Sequence, residues 1–246
     1  MKISFNMLTL VFYILLILSG YINYLVIFLS IMFMHEIGHV IMIKILGYKI
    51  NSIAILPTGG IIDTNINLNI KSNHLFLISI AGILMQLILL KIVPYSSSYS
   101  YQIFYKLNIS LIIFNLLPIN PLDGYKISLS LIERFIKYKR VINISYIISF
   151  IFIFLFFFYT KNIYIFVFLY FLNVRNVLYI NYLYNKFLLE RHLYSYVYKK
   201  DKYVDNLFSI YKCKNNYIKY GNTYIEEYKA DIEREDFDTL YSHITT

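Results

Sequence analysis

Tryptophan, cysteine, proline and charge are all scarce in this chain, and each scarcity excludes something. The 246 residues include no tryptophan, one cysteine, four prolines and eight glycines, and only 15% are charged. Soluble domains carry about 25% charged and about 45–50% apolar residues. Here 59% are hydrophobic and the mean hydropathy is +0.57, which excludes a soluble globule and a disordered chain. A lone Cys213 closes no internal disulfide, so a disulfide-stapled scaffold is excluded as well. The aromatic load is 27 tyrosines and 20 phenylalanines. With the abundance of Ile, Asn and Lys, it fits an AT-rich genome and carries little functional weight.

Acidic residues are scarcest where the chain is most apolar. The net charge is +9. From Lys186 onward 10 basic and 10 acidic residues cancel, so the excess lies in residues 1–185, which hold 13 basic residues and only four acids. Those four are Glu36, Asp63, Asp123 and Glu133. In so apolar a region a carboxylate is costly, and each needs a reason.

A membrane span takes about 20 predominantly apolar residues. Runs at 4–19, 23–45, 75–93, 102–118, 142–160 and 163–181 meet that need. The first has Lys2 ahead of an apolar stretch but no small-residue cleavage site, so it reads as a retained helix rather than a signal peptide. With six crossings, nine basic residues (Lys2, Lys44, Lys49, Lys71, Lys126, Arg134, Lys137, Lys139 and Arg140) fall on one side. Lys91, Lys106 and Lys161 fall on the other. The more basic side is cytosolic, which places both termini in the cytosol. Orientation and anionic lipid account for the positive loops, and no nucleic-acid partner is expected. The expected fold is therefore an all-α polytopic membrane protein. Residues 1–185 form a six-helix transmembrane domain with a short extended loop at Pro57-Thr58-Gly59-Gly60. Residues 186–246 form a small cytosolic tail, with a hairpin near Tyr220-Gly221-Asn222 and a helix near Glu233–His243.

His35-Glu36-Ile37-Gly38-His39 lies inside the second apolar run. Positions i and i+4 of a helix share a face. The two imidazoles can therefore hold one zinc ion while the intervening glutamate reaches a water that the metal activates. The bland alternative is a polar patch that packs helices together, but two histidines and a glutamate at this spacing are expensive in a membrane span without a function. A catalytic zinc takes a third protein ligand and keeps a fourth position open. Asn115-Leu116-Leu117-Pro118-Ile119-Asn120-Pro121-Leu122-Asp123-Gly124 supplies the candidate. Two prolines three residues apart interrupt the helix, and broken backbone at membrane depth belongs inside protein or beside water. Asp123 there is either the third ligand or a solvated residue at an interfacial turn, and the histidines on another span at similar depth favour the ligand.

These two segments together resemble the site-2 proteases, the zinc intramembrane metalloproteases, whose motifs are H-E-x-x-H and N-x-x-P-x-x-x-L-D-G. The first is matched by His35, Glu36 and His39, the second by Asn115, Pro118, Leu122, Asp123 and Gly124. The compact chain and the run FNLLPINPLDG look most like the sporulation-type branch, which cleaves a sigma-factor precursor. Close members of that branch carry a nucleotide-binding CBS domain at the C-terminus. The tail here shows no clear CBS pattern and is a truncated or degenerate regulatory module on this reading. The resemblance implies one Zn²⁺ per chain held by His35, His39 and Asp123, with Glu36 as general base and then general acid. It implies that Asn115 orients or polarises the scissile carbonyl, against the plainer reading of an interhelical hydrogen bond. It also implies that Gly59 and Gly60 offer a strand edge to substrate, against the plainer reading of a surface turn. The expected partners are a membrane-associated protein substrate and membrane regulatory proteins, in a bacterial cell membrane. Two rival readings remain at this point. One is a Ste24/HtpX-like membrane zincin with Glu133 as third ligand, and the other is a membrane zinc-binding protein that does not cut.

Overall fold

The computed structural model describes residues 2–5, 14, 17–56, 59–64, 70–178, 184–188, 201–205, 210–220 and 223–226. In chain order its elements are β1 (Lys2–Phe5), α1 (Ile22–Ile45), β2 (Ile50–Leu56), β3 (Gly59–Thr64), α2 (Ser72–Ile92), α3 (Tyr99–Leu116), α4 (Asp123–Ile132), α5 (Tyr138–Thr160), α6 (Ile163–Leu178), β4 (Asp201–Val204), β5 (Asn215–Tyr220) and β6 (Thr223–Glu226). Contacts divide the chain into two units, Met1–Ile66 with Phe76–Leu117, and Asn67–Leu75 with Pro118–Thr246.

Among the described residues three helices are long and apolar enough to cross a membrane: α1, α2 and α5. They correspond to the expected spans 23–45, 75–93 and 142–160. At 1.5 Å per residue the 21 residues of α2 reach roughly 31 Å, about the thickness of a hydrocarbon core. The expected spans 102–118 and 163–181 are helices of 18 and 16 residues, α3 and α6. The expected span at 4–19 lies mostly outside the described residues. Its start is not helical, because Lys2–Phe5 is a strand. Lys-Ile-Ser-Phe alternates polar and apolar, the period of a strand rather than a helix.

The fold is mostly helical, and the described residues include two small three-stranded sheets that the all-α expectation did not contain. In the first unit β1 runs parallel to β2, with Ile3 opposite Ile53. β2 then turns back antiparallel onto β3, with Leu56 opposite Gly59 and Ile55 opposite Gly60. β2 and β3 both touch α1. The buried residues of α1 include Ile31, His35, His39 and Ile43, four apart and so on one stripe. Val26, Phe33, Ile41 and Ile45 on the same helix are exposed. An apolar helix with a polar buried stripe and an apolar open face suits lipid rather than water. Gly38 lies on the buried side, where a Cβ would stand 2.5 Å from the carbonyl oxygen of Ala81. Only glycine lets α1 come this close to α2.

The second unit is built around α5. Tyr146 and Ser149 are buried on it. The Ser149 hydroxyl donates to Asn173 Oδ1 of α6 at 3.1 Å and accepts from the backbone N–H of Asn120 at 2.9 Å. Phe157 and Phe154 pack on Phe166 with ring centroids 4.8 and 5.3 Å apart. α5 stops at Lys161 in the left-handed region, φ 51°. α6 then starts under Asn162, whose Oδ1 accepts from the N–H groups of Tyr164 and Ile165, an N-cap of the usual kind. In the tail, β4 pairs parallel with β5, and β5 pairs antiparallel with β6. Tyr220 stands opposite Thr223, which is the hairpin expected at Tyr220-Gly221-Asn222. The helix expected near Glu233–His243 lies outside the described residues.

The close approach at Gly38 makes a prediction. Gly38→Val drives a branched side chain into the α2 backbone, and overpacking of this kind costs about 1–3 kcal/mol. Thermal unfolding in detergent is expected to show a clearly lowered midpoint, and an unchanged midpoint would mean that the two helices have slack there.

Candidate metal centre

The geometry of the two histidines starts from α2. His39 Nδ1 lies 2.7 Å from the backbone carbonyl of Ile78. A carbonyl only accepts, so the ring carries its proton on Nδ1 and turns the Nε2 lone pair the other way. His35 Nδ1 lies 3.1 Å from Gln86 Oε1, and donates to it in the same sense. The consequence is that the two Nε2 atoms face one another at 3.0 Å. The rings are near perpendicular, 86°, with centroids 4.7 Å apart. Two lone pairs at this distance repel unless a cation lies between them. Tetrahedral zinc with Zn–N near 2.0–2.1 Å sets two nitrogen ligands about 3.3 Å apart, so the pair is arranged for a shared metal. Engagement of the second ring nitrogen by an oxygen acceptor is the usual support of a metal-bound histidine.

Gly82 makes this arrangement possible. A Cβ there would lie 2.6 Å from His35 Cε1 and 2.6 Å from His39 Nε2. Both imidazoles lean over the bare backbone of α2, and any side chain at this point would displace them.

Asp123 is held by a different device. Pro118 follows Leu117, which is extended with φ −63° and ψ 133° as a residue before proline must be. α3 therefore ends at Leu116. The Asn120–Pro121 bond is cis, Leu122 is extended, and α4 opens at Asp123. The carboxylate sits in the first turn of that helix, where the partial positive charge of the free N–H groups favours an anion. Lys126 Nζ lies 3.4 Å from Asp123 Oδ1. His35, His39 and Asp123 are each buried. The donor set, two neutral imidazoles and a carboxylate, is one that zinc accepts.

The other expected residues are placed as follows. Glu36 follows His35 on α1 and is half-buried. Asn115 is half-buried in the last turn of α3. Gly59 and Gly60 are the first two residues of β3. Glu133 is buried and engaged elsewhere: Lys212 Nζ lies 2.9 Å from its Oε2, and the Ser72 hydroxyl donates to its Oε1. That removes the basis of the reading in which Glu133 is the third ligand. Sequence reasoning missed Gln86. Its signal in the sequence was an amide in an otherwise apolar span, and the structure buries it fully. The pair Ala81-Gly82 was legible only as a place where helices pack closely.

Buried histidines paired on a span, an acid delivered by a broken helix and a glutamate beside the first histidine define a membrane-embedded metallopeptidase. The family model for peptidase family M50 matches residues 23–97 and 91–156, and the chain belongs to that family of zinc metalloproteases. It is similar to stage IV sporulation protein FB of Bacillus subtilis (strain 168), 29% identical over 129 residues. That match takes in 50% of this chain and 45% of the relative, so the chain spans less than half of the relative's length. A similar solved structure is the site-2 protease from Methanocaldococcus jannaschii, at 26% identity and a TM-score of 0.49, covering 70% of this chain and 89% of that one.

The support from α2 is testable. Gln86→Leu keeps the volume but removes the acceptor for His35 Nδ1. Loss of such a support costs about 10–100-fold in metal affinity. Zinc competition with a chelator on purified protein measures it, and wild-type affinity in this variant would show that Gln86 does not orient the ring.

Proposed function

We propose that this chain is an intramembrane zinc endopeptidase. It cleaves a membrane-embedded or membrane-associated protein segment near the cytosolic face of a bacterial cell membrane. The observation that carries the reading is the His35–His39 pair, with both Nδ1 atoms engaged and both Nε2 atoms facing one another at 3.0 Å. In this reading His35, His39 and Asp123 hold one Zn²⁺ per chain. The bound ion supplies Lewis acidity toward the scissile carbonyl and toward water. Glu36 takes the proton of the attacking water and then returns it to the leaving amine. The Asn115 side-chain amide donates to the carbonyl oxygen as charge develops there. The six-span layout with both termini cytosolic is part of the same proposal. It is supported by three apolar helices long enough to cross and by the lopsided distribution of basic residues. The likeness to a sporulation protein makes a sigma-factor precursor the first substrate to test, with membrane regulatory proteins as further partners.

β3 supports a role for Gly59 and Gly60 in binding substrate. It pairs with β2 and is an edge of its three-stranded sheet, in the order β1-β2-β3. A helical segment must be extended before it is cut, and adding a strand to an exposed edge extends it. In this proposal β3 receives the segment.

Metal content separates the roles. Glu36→Gln is expected to keep about one zinc per chain and lose cleavage, whereas His35→Ala and Asp123→Ala lose most of the zinc. Equal loss of zinc in all three variants would make Glu36 a ligand and end this assignment.

The strand edge gives a second expectation. Gly59→Val with Gly60→Val is expected to lower cleavage of a helical substrate far more than zinc content, because the loop supplies no ligand. A substrate already unwound by Gly or Pro near the cut should suffer less. Co-expression of both substrates with wild type and variant, with zinc assayed in parallel, decides it. Normal cleavage of both would leave the loop an ordinary turn.

A further inference from the structure

The C-terminal tail reaches back to the short helix that starts with Asp123. α4 has ten residues and is about 15 Å long. Asp123 is its first residue and Glu133 its C-cap. Glu133 is fully buried, and so is Lys212 from the tail, whose Nζ lies 2.9 Å from Glu133 Oε2. The two are 79 residues apart in sequence. A buried carboxylate and a buried ammonium are each costly alone and tolerable only as a pair with further hydrogen bonds. Those bonds are present. Ser72 donates to Glu133 Oε1 and lies 2.8 Å from Cys213 Sγ. The Lys212 ammonium also stands 5.3 Å from the centre of the Tyr138 ring, within range of a cation–π contact.

The turn that presents Lys212 is built for the purpose. The Asn216 side chain accepts from the Tyr211 N–H at 2.9 Å and donates to the carbonyls of Tyr211 and Lys214 at 3.1 Å each. It closes residues 211–216 into a fixed loop. Next to this loop, the Tyr138 N–H at the start of α5 donates to the Ile210 carbonyl at 2.9 Å. Tyr138, Tyr184, Phe187 and Ile210 form one buried cluster with Ile142 and Tyr146 of α5. The tail is thus packed on the turn joining α4 to α5, and the ion pair is its polar centre.

We propose that Glu133 and Lys212 are positioning residues for the metal centre. The tail clamps the C-terminal end of α4 through this pair, and a helix of under three turns passes that constraint to Asp123 at its other end. The tail is then part of the working enzyme, and a partner or modification that lifts Lys212 away would weaken the grip on the metal. This inference rests on the reading of Asp123 as a ligand.

The test uses full-length protein in detergent and reads metal binding rather than turnover. Zinc affinity is measured by chelator competition, and the visible bands of the cobalt-substituted protein report the ligand geometry. Lys212→Met and Glu133→Lys are each expected to weaken zinc binding at least tenfold and to alter the cobalt bands. The exchanged pair, Glu133→Lys with Lys212→Glu, restores opposite charges and puts the cation at a helix C-terminus, where it is favoured. It is expected to return to within threefold of wild type, and it remains decisive if a single variant does not fold. Wild-type affinity and spectrum in Lys212→Met, or an exchanged pair no better than Glu133→Lys alone, would overturn the proposal. Asp123→Ala separates the two failures. If that variant keeps its zinc, the ligand reading has failed. If it loses zinc while Lys212→Met does not, only the coupling has failed.

Discussion

The site depends on the absence of side chains where α1 meets α2. Gly38 brings its helix against the Ala81 carbonyl, and Gly82 leaves bare backbone beneath both imidazoles. With the helices this close, the Ile78 carbonyl and the Gln86 amide come within reach of the two Nδ1 atoms. Those contacts fix which nitrogen of each ring carries the proton, and so where the lone pairs point. Packing, tautomer and the direction of the Nε2 lone pairs are consequences of one steric fact. In a membrane, where apolar burial gives helices little reason to associate, small residues at the crossing are what let polar groups find their partners.

Much of this was legible in the sequence because the pattern is local. An i, i+4 pair of histidines lies on one face of a helix. Two prolines three apart, followed by Asp-Gly, announce a broken helix with an acid at the break. Structure bears out both local readings: the histidines share a buried stripe of α1, and α3 stops before Pro118 so that α4 opens at Asp123. The alternation in Lys2-Ile3-Ser4-Phe5 was local too, but its second half, Ser4-Phe5, was absorbed into the apolar run 4–19 and read as helix. The long run masked the short period, and a parallel strand beside β2 is the outcome.

What could not be read was set by distance along the chain. Gln86 lies 51 residues from His35, and nothing in its own neighbourhood names that partner. Lys212 sits in a segment of balanced charge, where a lysine ordinarily means solvent. Glu133 has Arg134 beside it in the sequence, yet its buried partner Lys212 comes from the tail. A buried pair needs both members, and sequence reading sees them one at a time. The cost of the unpaired charge was legible, while the identity of the group that relieves it was not.

The scarcity of acids in the apolar region is the most informative compositional fact, once the surroundings of those acids are known. Asp123 faces the N-terminal turn of α4 and Lys126. Glu133 faces a buried ammonium. These two acids stand at opposite ends of one ten-residue helix. At the first end positive charge comes from free N–H groups, which the helix supplies for itself. At the second the helix offers free carbonyls, which repel an anion, so the cation has to be brought in. That asymmetry explains why a distant lysine is buried here at all. A carboxylate at the wrong end of a helix dipole is tolerable only with a strong counter-charge, and the tail provides it. The same requirement ties the tail to the helix that carries Asp123.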